Sequence, residues 1–395
     1  MAESVMTLAC ELPRPRSASS ITPRRTPPQY SCNRALIQEA VPTPIVYRVL
    51  TLMTTIMSAY VCQCGSPLFF SNFNCLKCQS VVGRCESCRG LSSFTATDES
   101  FFQCDLCGAN VTPCSGRENS ICNVFSTRVS ANCLCGYCNL TTRVPDLSTD
   151  ENQVALRRLE AAKRRLLIQL QELHLPPFCL QPEINHDLTF EFLQDEQTPS
   201  GLVRQLTGHL EGKIVINVSE ADSRHREHLR VQFGEPQRTL IGHFRHEIGH
   251  YLEHCFRRHK LFSDFSDVFG DPNQVAYEVA RQNYYATGGD PNWEAKFPSA
   301  YASMHPAEDF AETVNLYLDI TSIANTAAEF DIEVIDYSTN RTVFEFVPAV
   351  LNLAVIITEF NFDMGLNALL PESINDSVMR KLQFVHSLRR ASEQS

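Results

Sequence analysis

Residues 243–251 read His-Phe-Arg-His-Glu-Ile-Gly-His-Tyr and contain the pattern H-E-x-x-H at His246, Glu247 and His250. On a helix, residues four apart stand on one face, so both imidazoles can reach a single metal ion. Zinc is the ion that this pattern suits, and Glu247 beside the two ligands can act as general base on water at the metal. The flanking residues fit the same helix. At about 100° per residue, Ile241, Phe244, Ile248, Leu252 and Cys255 make one apolar face, with His246 and His250 pointing the other way. This stretch is expected to lie between a hydrophobic core and a metal cleft.

Two histidines do not complete a zinc site. The extended pattern with a glycine and a third histidine further along the helix is excluded, because Glu253 and Phe256 stand at those places. His254 lies too far along the helix to share the metal well. Glu308-Asp309-Phe310-Ala311-Glu312 is the better source. Pro306 suits a first helical position, so a helix is expected to start there, with Glu308 and Glu312 on one face. One carboxylate can bind the metal while the other hydrogen-bonds a ligand histidine. The plainer alternative is an acidic first turn favoured by the helix dipole.

Upstream lies a dense run of cysteines. The 395-residue chain has 17 cysteines, and most fall between Cys62 and Cys138. C-x-x-C turns present two thiolates to one metal, and two such turns close a tetrahedral zinc site. Three groups follow: Cys62, Cys64, Cys75 and Cys78; Cys85, Cys88, Cys104 and Cys107; and Cys114, Cys122, Cys135 and Cys138. Cys133 is left over and could replace Cys135. Cys10, Cys32, Cys179 and Cys255 read as ordinary thiols. The expected cofactors are therefore one catalytic zinc and two or three structural ones. No secretion signal is visible, so the thiols point to a reducing compartment and a cytoplasmic location.

Length allows two or three domains. Residues 1–59 read as a disordered tail, with seven prolines among the first 46 residues. Residues 60–142 form the cysteine-rich region, expected to be β-rich and held by metal. Residues 143–395 are expected to form a mainly helical domain with a small β-sheet, an α+β fold. Its first helix, opened by a capping box at Ser148 and Glu151, carries Leu159, Leu166 and Leu170 at helical spacing. It ends before Pro176 and Pro177. Its basic residues, Lys163 and Arg164 among them, read as a solvated face. Lys213–Ser219 alternates like a strand, and Val343–Phe360 is apolar enough to be buried. No run of 18 consecutive apolar residues occurs, so no membrane-spanning helix is expected. Net charge is −11, with 34 Lys and Arg against 45 Asp and Glu, which argues against a dedicated nucleic-acid binder.

The chain resembles a family of bacterial zinc-binding metallopeptidases with a zinc-ribbon-like N-terminal region. The likeness rests on C-Q-C-G-S-P-L-F-F-S-N from Cys62, L-T-G-H-L-E-G-K-I-V-I-N-V-S-E-A-D from Leu206, H-F-R-H-E-I-G-H-Y from His243, and S-A-Y-A-S-M-H-P-A-E-D-F-A-E-T from Ser299. R-V-P-D-L-S, E-A-A-K-R-R-L, V-F-G-D, M-G-L-N-A-L-L-P and K-L-Q-F-V-H also fit. The resemblance implies a gluzincin-like site in which His246, His250 and Glu308 bind zinc and Glu312 supports from behind. It further implies that Tyr301 can stabilise an oxyanion. After the E-T pair the family pattern continues Trp, Ala, His, Tyr, Leu, His. This chain has Val314, Asn315, Leu316, Tyr317, Leu318 and Asp319, so two histidines are missing.

These readings together make the chain a zinc metallopeptidase. Glu247 is its expected general base, the ribbon is expected to recruit or position substrate, and by analogy with zincins the Lys213–Ser219 strand is expected to flank the cleft and pair with an extended peptide as an edge strand does. The expected partner is a protein or peptide, with no membrane and no nucleic acid. Two alternatives use the same residues: a catalytically inactive, zinc-stapled interaction module, and a nucleic-acid-directed hydrolase with the ribbon as reader.

Overall fold

The computed structural model describes residues 60–395 apart from 99, 128–132, 182, 200, 234–237, 258, 372 and 394–395. The expected tail, with Cys10 and Cys32, lies outside the described residues. The fold is α+β: a cysteine-rich β region followed by a helical domain around a small sheet.

The first region is a closed barrel of β1 (Val81–Cys85), β2 (Leu91–Ala96), β3 (Phe102–Cys104), β4 (Asn110–Pro113) and β5 (Val124–Ser126). Neighbours pair antiparallel, except that β1 and β5 close the barrel in parallel. Gly83 makes that closure possible. A Cβ there would lie 2.0 Å from the Asn123 carbonyl oxygen, so only glycine lets the strands meet.

The second region has a sheet in the order β10-β11-β7-β6. Its strands are β6 (Thr141–Arg143), β7 (Thr189–Leu193), β10 (Gly208–Leu210) and β11 (Lys213–Asn217), and β8 (Glu196–Thr198) pairs with β9 (Gly201–Val203) as a separate ribbon. Phe190, Phe192, Ile214 and Ile216 all face the core, as the alternation in the sequence requires. The expected strand ends at Asn217, and Val218 opens a 3-10 turn. The strand is also not an edge. β11 is flanked by β10 and β7, so the free edge on that side belongs to β10.

The helices are α1 (Asp150–Glu172), α2 (Ser223–Phe233), α3 (Leu240–Phe256), α4 (Phe265–Phe269), α5 (Tyr277–Thr287), α6 (Pro306–Glu329), α7 (Val343–Asp363) and α8 (Asp376–Glu393). Helix α1 is the spine between the two regions. Its cap is Thr149, whose hydroxyl accepts from the Asn152 amide, and not Ser148 as the spacing suggested. Its basic side chains also depart from expectation. Lys163 and Arg164 are buried. Lys163 lies between Glu160 and the Thr141 hydroxyl, and Arg164 donates to the Ile121 carbonyl in the ribbon. A buried cation persists where such acceptors are at hand. At the other face, Gln169 donates to the Leu318 carbonyl and accepts from Arg245, tying α1 to α6 and α3.

Helix α7 is buried on one face only. Val343, Phe346, Val347, Val350 and Ala354 enter the core, while Phe344, Val355, Ile356 and Phe360 are exposed. The expectation that this segment is buried therefore holds for one face only. By length and composition α7 could cross a membrane. A search for uninterrupted apolar residues overlooks it because Glu345, Pro348 and Asn352 break the run.

Candidate metal centre

The Thr239 side chain caps α3 by accepting from the Gly242 amide at 3.0 Å. Phe244, Ile248, Leu252 and Cys255 are buried on its core side. Gly249 sits against α6 so closely that a Cβ would lie 2.5 Å from the Ala311 Cα. That glycine between His246 and His250 lets α3 and α6 approach, and the approach brings Glu308 to the histidines.

Helix α6 starts where Pro306 suggests. His305 is its cap, with Nδ1 accepting from the Ala307 amide at 3.2 Å. Its N-terminus is pinned from below by Lys381 of α8, which lies 2.6 Å from Asp309 Oδ2 and also donates to the Lys296 carbonyl. Burial raises the Asp309 carboxyl to about 7, and Lys381 only partly offsets this.

The structure brings His246, His250 and Glu308 together. The two Nε2 atoms are 3.2 Å apart. Glu308 Oε2 is 3.0 Å from His246 Nε2, and Oε1 is 3.4 Å from His250 Nε2. Ligands at zinc's usual bond lengths of about 2.0–2.1 Å in a tetrahedron stand roughly 3.3 Å from one another. The three donors therefore fit zinc in spacing and in type. Glu308 is buried, and its Oε2 makes no hydrogen bond among the described residues.

Glu312 takes the other side of the first histidine. Its Oε1 lies 2.7 Å from His246 Nδ1, so Nδ1–H donates to it and Nε2 keeps its lone pair for a metal. Burial resists protonation of His246, but Glu308 and Glu312 outweigh it and hold the pKa well above the ordinary imidazole value. Burial likewise opposes ionisation of Glu308, and its contacts with His246 and His250 reverse that and hold it below the ordinary carboxylate range. Such a charge balance suits a bound cation.

Glu247 is buried on the same helix, and its Oε2 has no hydrogen-bond partner among the described residues. Burial raises its pKa, and the adjacent histidines pull against that. A carboxylate of raised pKa is a better proton acceptor. Tyr301 lies in the 3-10 turn before α6, with its ring 5.9 Å from that of His246. Tyr277 was not visible in the sequence. Its hydroxyl donates to Glu308 Oε1 at 2.8 Å, and no spacing rule links a tyrosine on α5 to that glutamate. His254 is turned away and packs on His186, with ring centroids 5.0 Å apart. Asp319, where the family pattern has a histidine, pairs with the buried Arg245.

The cysteines gather in the three groups set by their spacing. The Sγ–Sγ distances are 3.5 Å for Cys62 and Cys78, 3.6 Å for Cys64 and Cys75, 3.9 Å for Cys85 and Cys107 and for Cys88 and Cys104, and 3.7 Å for Cys122 and Cys135. Four thiolates at the usual Zn–S length of about 2.3 Å stand roughly 3.8 Å apart, so each group fits a tetrahedral zinc. The third group is wholly buried and belongs to the same core as α1 and α3. Contacts among the four thiols, Cys114 raising and Cys135 and Cys138 lowering, leave the Cys122 thiol below its ordinary value, and Arg164 adds a smaller push the same way. Cys133 is exposed and outside the group.

A β region held by cysteine tetrads, followed by a helical domain with two histidines and a glutamate at zinc spacing, defines a zinc-ribbon protein with a metallopeptidase-like domain. Comparison with known families agrees. Residues 152–388 match the family described as "Putative zinc-binding metallo-peptidase", and residues 59–149 match a zinc-ribbon domain. The chain belongs to this zinc-binding metallo-peptidase family. Uncharacterized proteins of Mycobacterium tuberculosis and Mycobacterium bovis are 33% identical to it over 340 residues, covering 82% of this chain and 93% of their own length. No solved structure matches the chain.

Proposed function

We propose that the protein is a zinc-dependent peptidase whose site is His246, Glu247, His250, Glu308 and Glu312. The observation that carries this reading is the convergence of His246 Nε2, His250 Nε2 and a Glu308 oxygen beside the unpaired carboxylate oxygen of Glu247. A bound zinc would supply a Lewis acid that polarises a peptide carbonyl and acidifies water. His246, His250 and Glu308 would hold it. Glu247 takes the proton of the attacking water and returns it to the leaving amine as the C–N bond breaks, so it ends each cycle ionised. Glu312 keeps His246 in the tautomer that offers Nε2. The Tyr301 ring lies 5.9 Å from that of His246, and its hydroxyl is suited to donate to an oxyanion.

The three cysteine tetrads take structural zinc in this reading. The ribbon, joined to α1, recruits or positions a protein or peptide substrate. Thiolate sites of this kind need a reducing compartment, which accords with a cytoplasmic protein. The test is cleavage of a peptide library by wild type and by Glu247→Gln. General-base loss should lower the rate about 10²–10⁴-fold while zinc content stays the same. Equal cleavage by the two would overturn the reading.

A further inference from the structure

Helix α5 lies beside the metal site and is loosely held. Only Ala280 of its residues is buried. The chain enters past Gly270 (φ 95°) and leaves through Gly288 and Gly289 (φ 85° and 82°), positions that side chains rarely tolerate. Its first residue is the exception to this looseness. The Tyr277 ring packs edge-on against His305 at 5.3 Å, and His305 is the cap of α6 and is buried. The same ring directs its hydroxyl to Glu308 Oε1 at 2.8 Å.

A carboxylate offers two equivalent oxygens, and a metal site must choose between them or use both. Here the environment makes them unequal. Oε1 accepts from Tyr277 and lies 3.4 Å from His250 Nε2, whereas Oε2 stands 3.0 Å from His246 Nε2 with no hydrogen bond among the described residues. We propose that Tyr277 is a positioning residue of the metal centre: its hydroxyl occupies Glu308 Oε1 and so presents Oε2 to the metal. This rests on the zinc-site reading above and adds to it the partner that orients the carboxylate ligand, as Glu312 orients His246. The ligand set is then held from three elements, with α5 supplying a group that neither α3 nor α6 can.

The test uses the full chain with its cysteine zincs in place. Zinc affinity of the histidine site is read by competition with a chelator, and its geometry by the visible spectrum after cobalt substitution at that site. Tyr277→Phe removes one hydroxyl. It should weaken affinity about 10–100-fold and alter the cobalt spectrum. Tyr285→Phe, on the same helix, should match wild type in both. Tyr277→Phe with wild-type affinity and spectrum overturns the proposal. Glu308→Ala in the same series separates the two levels. If Glu308→Ala abolishes binding while Tyr277→Phe is silent, only the role of Tyr277 falls. If Glu308→Ala binds zinc as wild type does, the zinc-site reading falls with it. Unchanged cysteine-zinc content and melting temperature show that Tyr277→Phe is folded.

Discussion

The buried tetrad of Cys114, Cys122, Cys135 and Cys138 and the cluster of His246, His250 and Glu308 are both spaced for zinc, yet they are built for opposite ends. The tetrad closes four thiolates on themselves inside the core shared by the ribbon and α1. It leaves no position for a substrate. The histidine cluster has three side chains at zinc spacing, with both imidazoles partly exposed, and beside them the buried Glu247 carboxylate, whose Oε2 has no hydrogen-bond partner among the described residues. Ligand count and solvent access, more than the metal, distinguish the tetrad from the histidine cluster. The same contrast appears in the charges nearby. The neighbouring thiols dominate Cys122, with the buried Arg164 a smaller aid to its thiolate, whereas carboxylates surround the histidines.

That contrast can be broken at either end. The largest effect is expected at the tetrad. Cys138→Ser should remove one zinc and with it much of the folding free energy, since structural zinc supplies about 10–16 kcal/mol in small zinc modules. Soluble yield and thermal unfolding would show it. A variant that melts like wild type would mean the tetrad is ornamental. Glu247→Gln should do the reverse, costing turnover and leaving zinc count and melting temperature alone. Gly249→Ala should have the smallest effect. Helix propensity alone would favour alanine by about 1 kcal/mol. The methyl would meet the Ala311 backbone, however, and overpacking of this kind costs about 1–3 kcal/mol. Differential scanning calorimetry should show a net loss, with weaker zinc retention at the histidine site because α3 and α6 are pushed apart.

What the sequence reveals of the fold and the site follows the same division. The cysteine groups and the histidine pair are legible because their members are close in sequence, and a turn or a helix fixes their geometry. Pro306 and the acidic turn after it narrow the third position to Glu308 or Glu312, and only the family resemblance picks Glu308. Tyr277 is not legible, because α5 reaches Glu308 only through the tertiary fold. The burial of Lys163 and Arg164 is hidden for a related reason. Two of their acceptors, the Thr141 hydroxyl and the Ile121 carbonyl, come from the region before α1. The place of Lys213–Asn217 inside the sheet depends on a short partner, β10, whose sequence has little strand character. The exposed face of α7 shows the limit of reading burial from hydropathy alone.

The most direct measurement is the zinc stoichiometry of purified wild type beside His246→Ala and Glu308→Ala. The account predicts that each variant loses one zinc per chain and keeps every cysteine-bound zinc. Wild-type stoichiometry in both variants would contradict it.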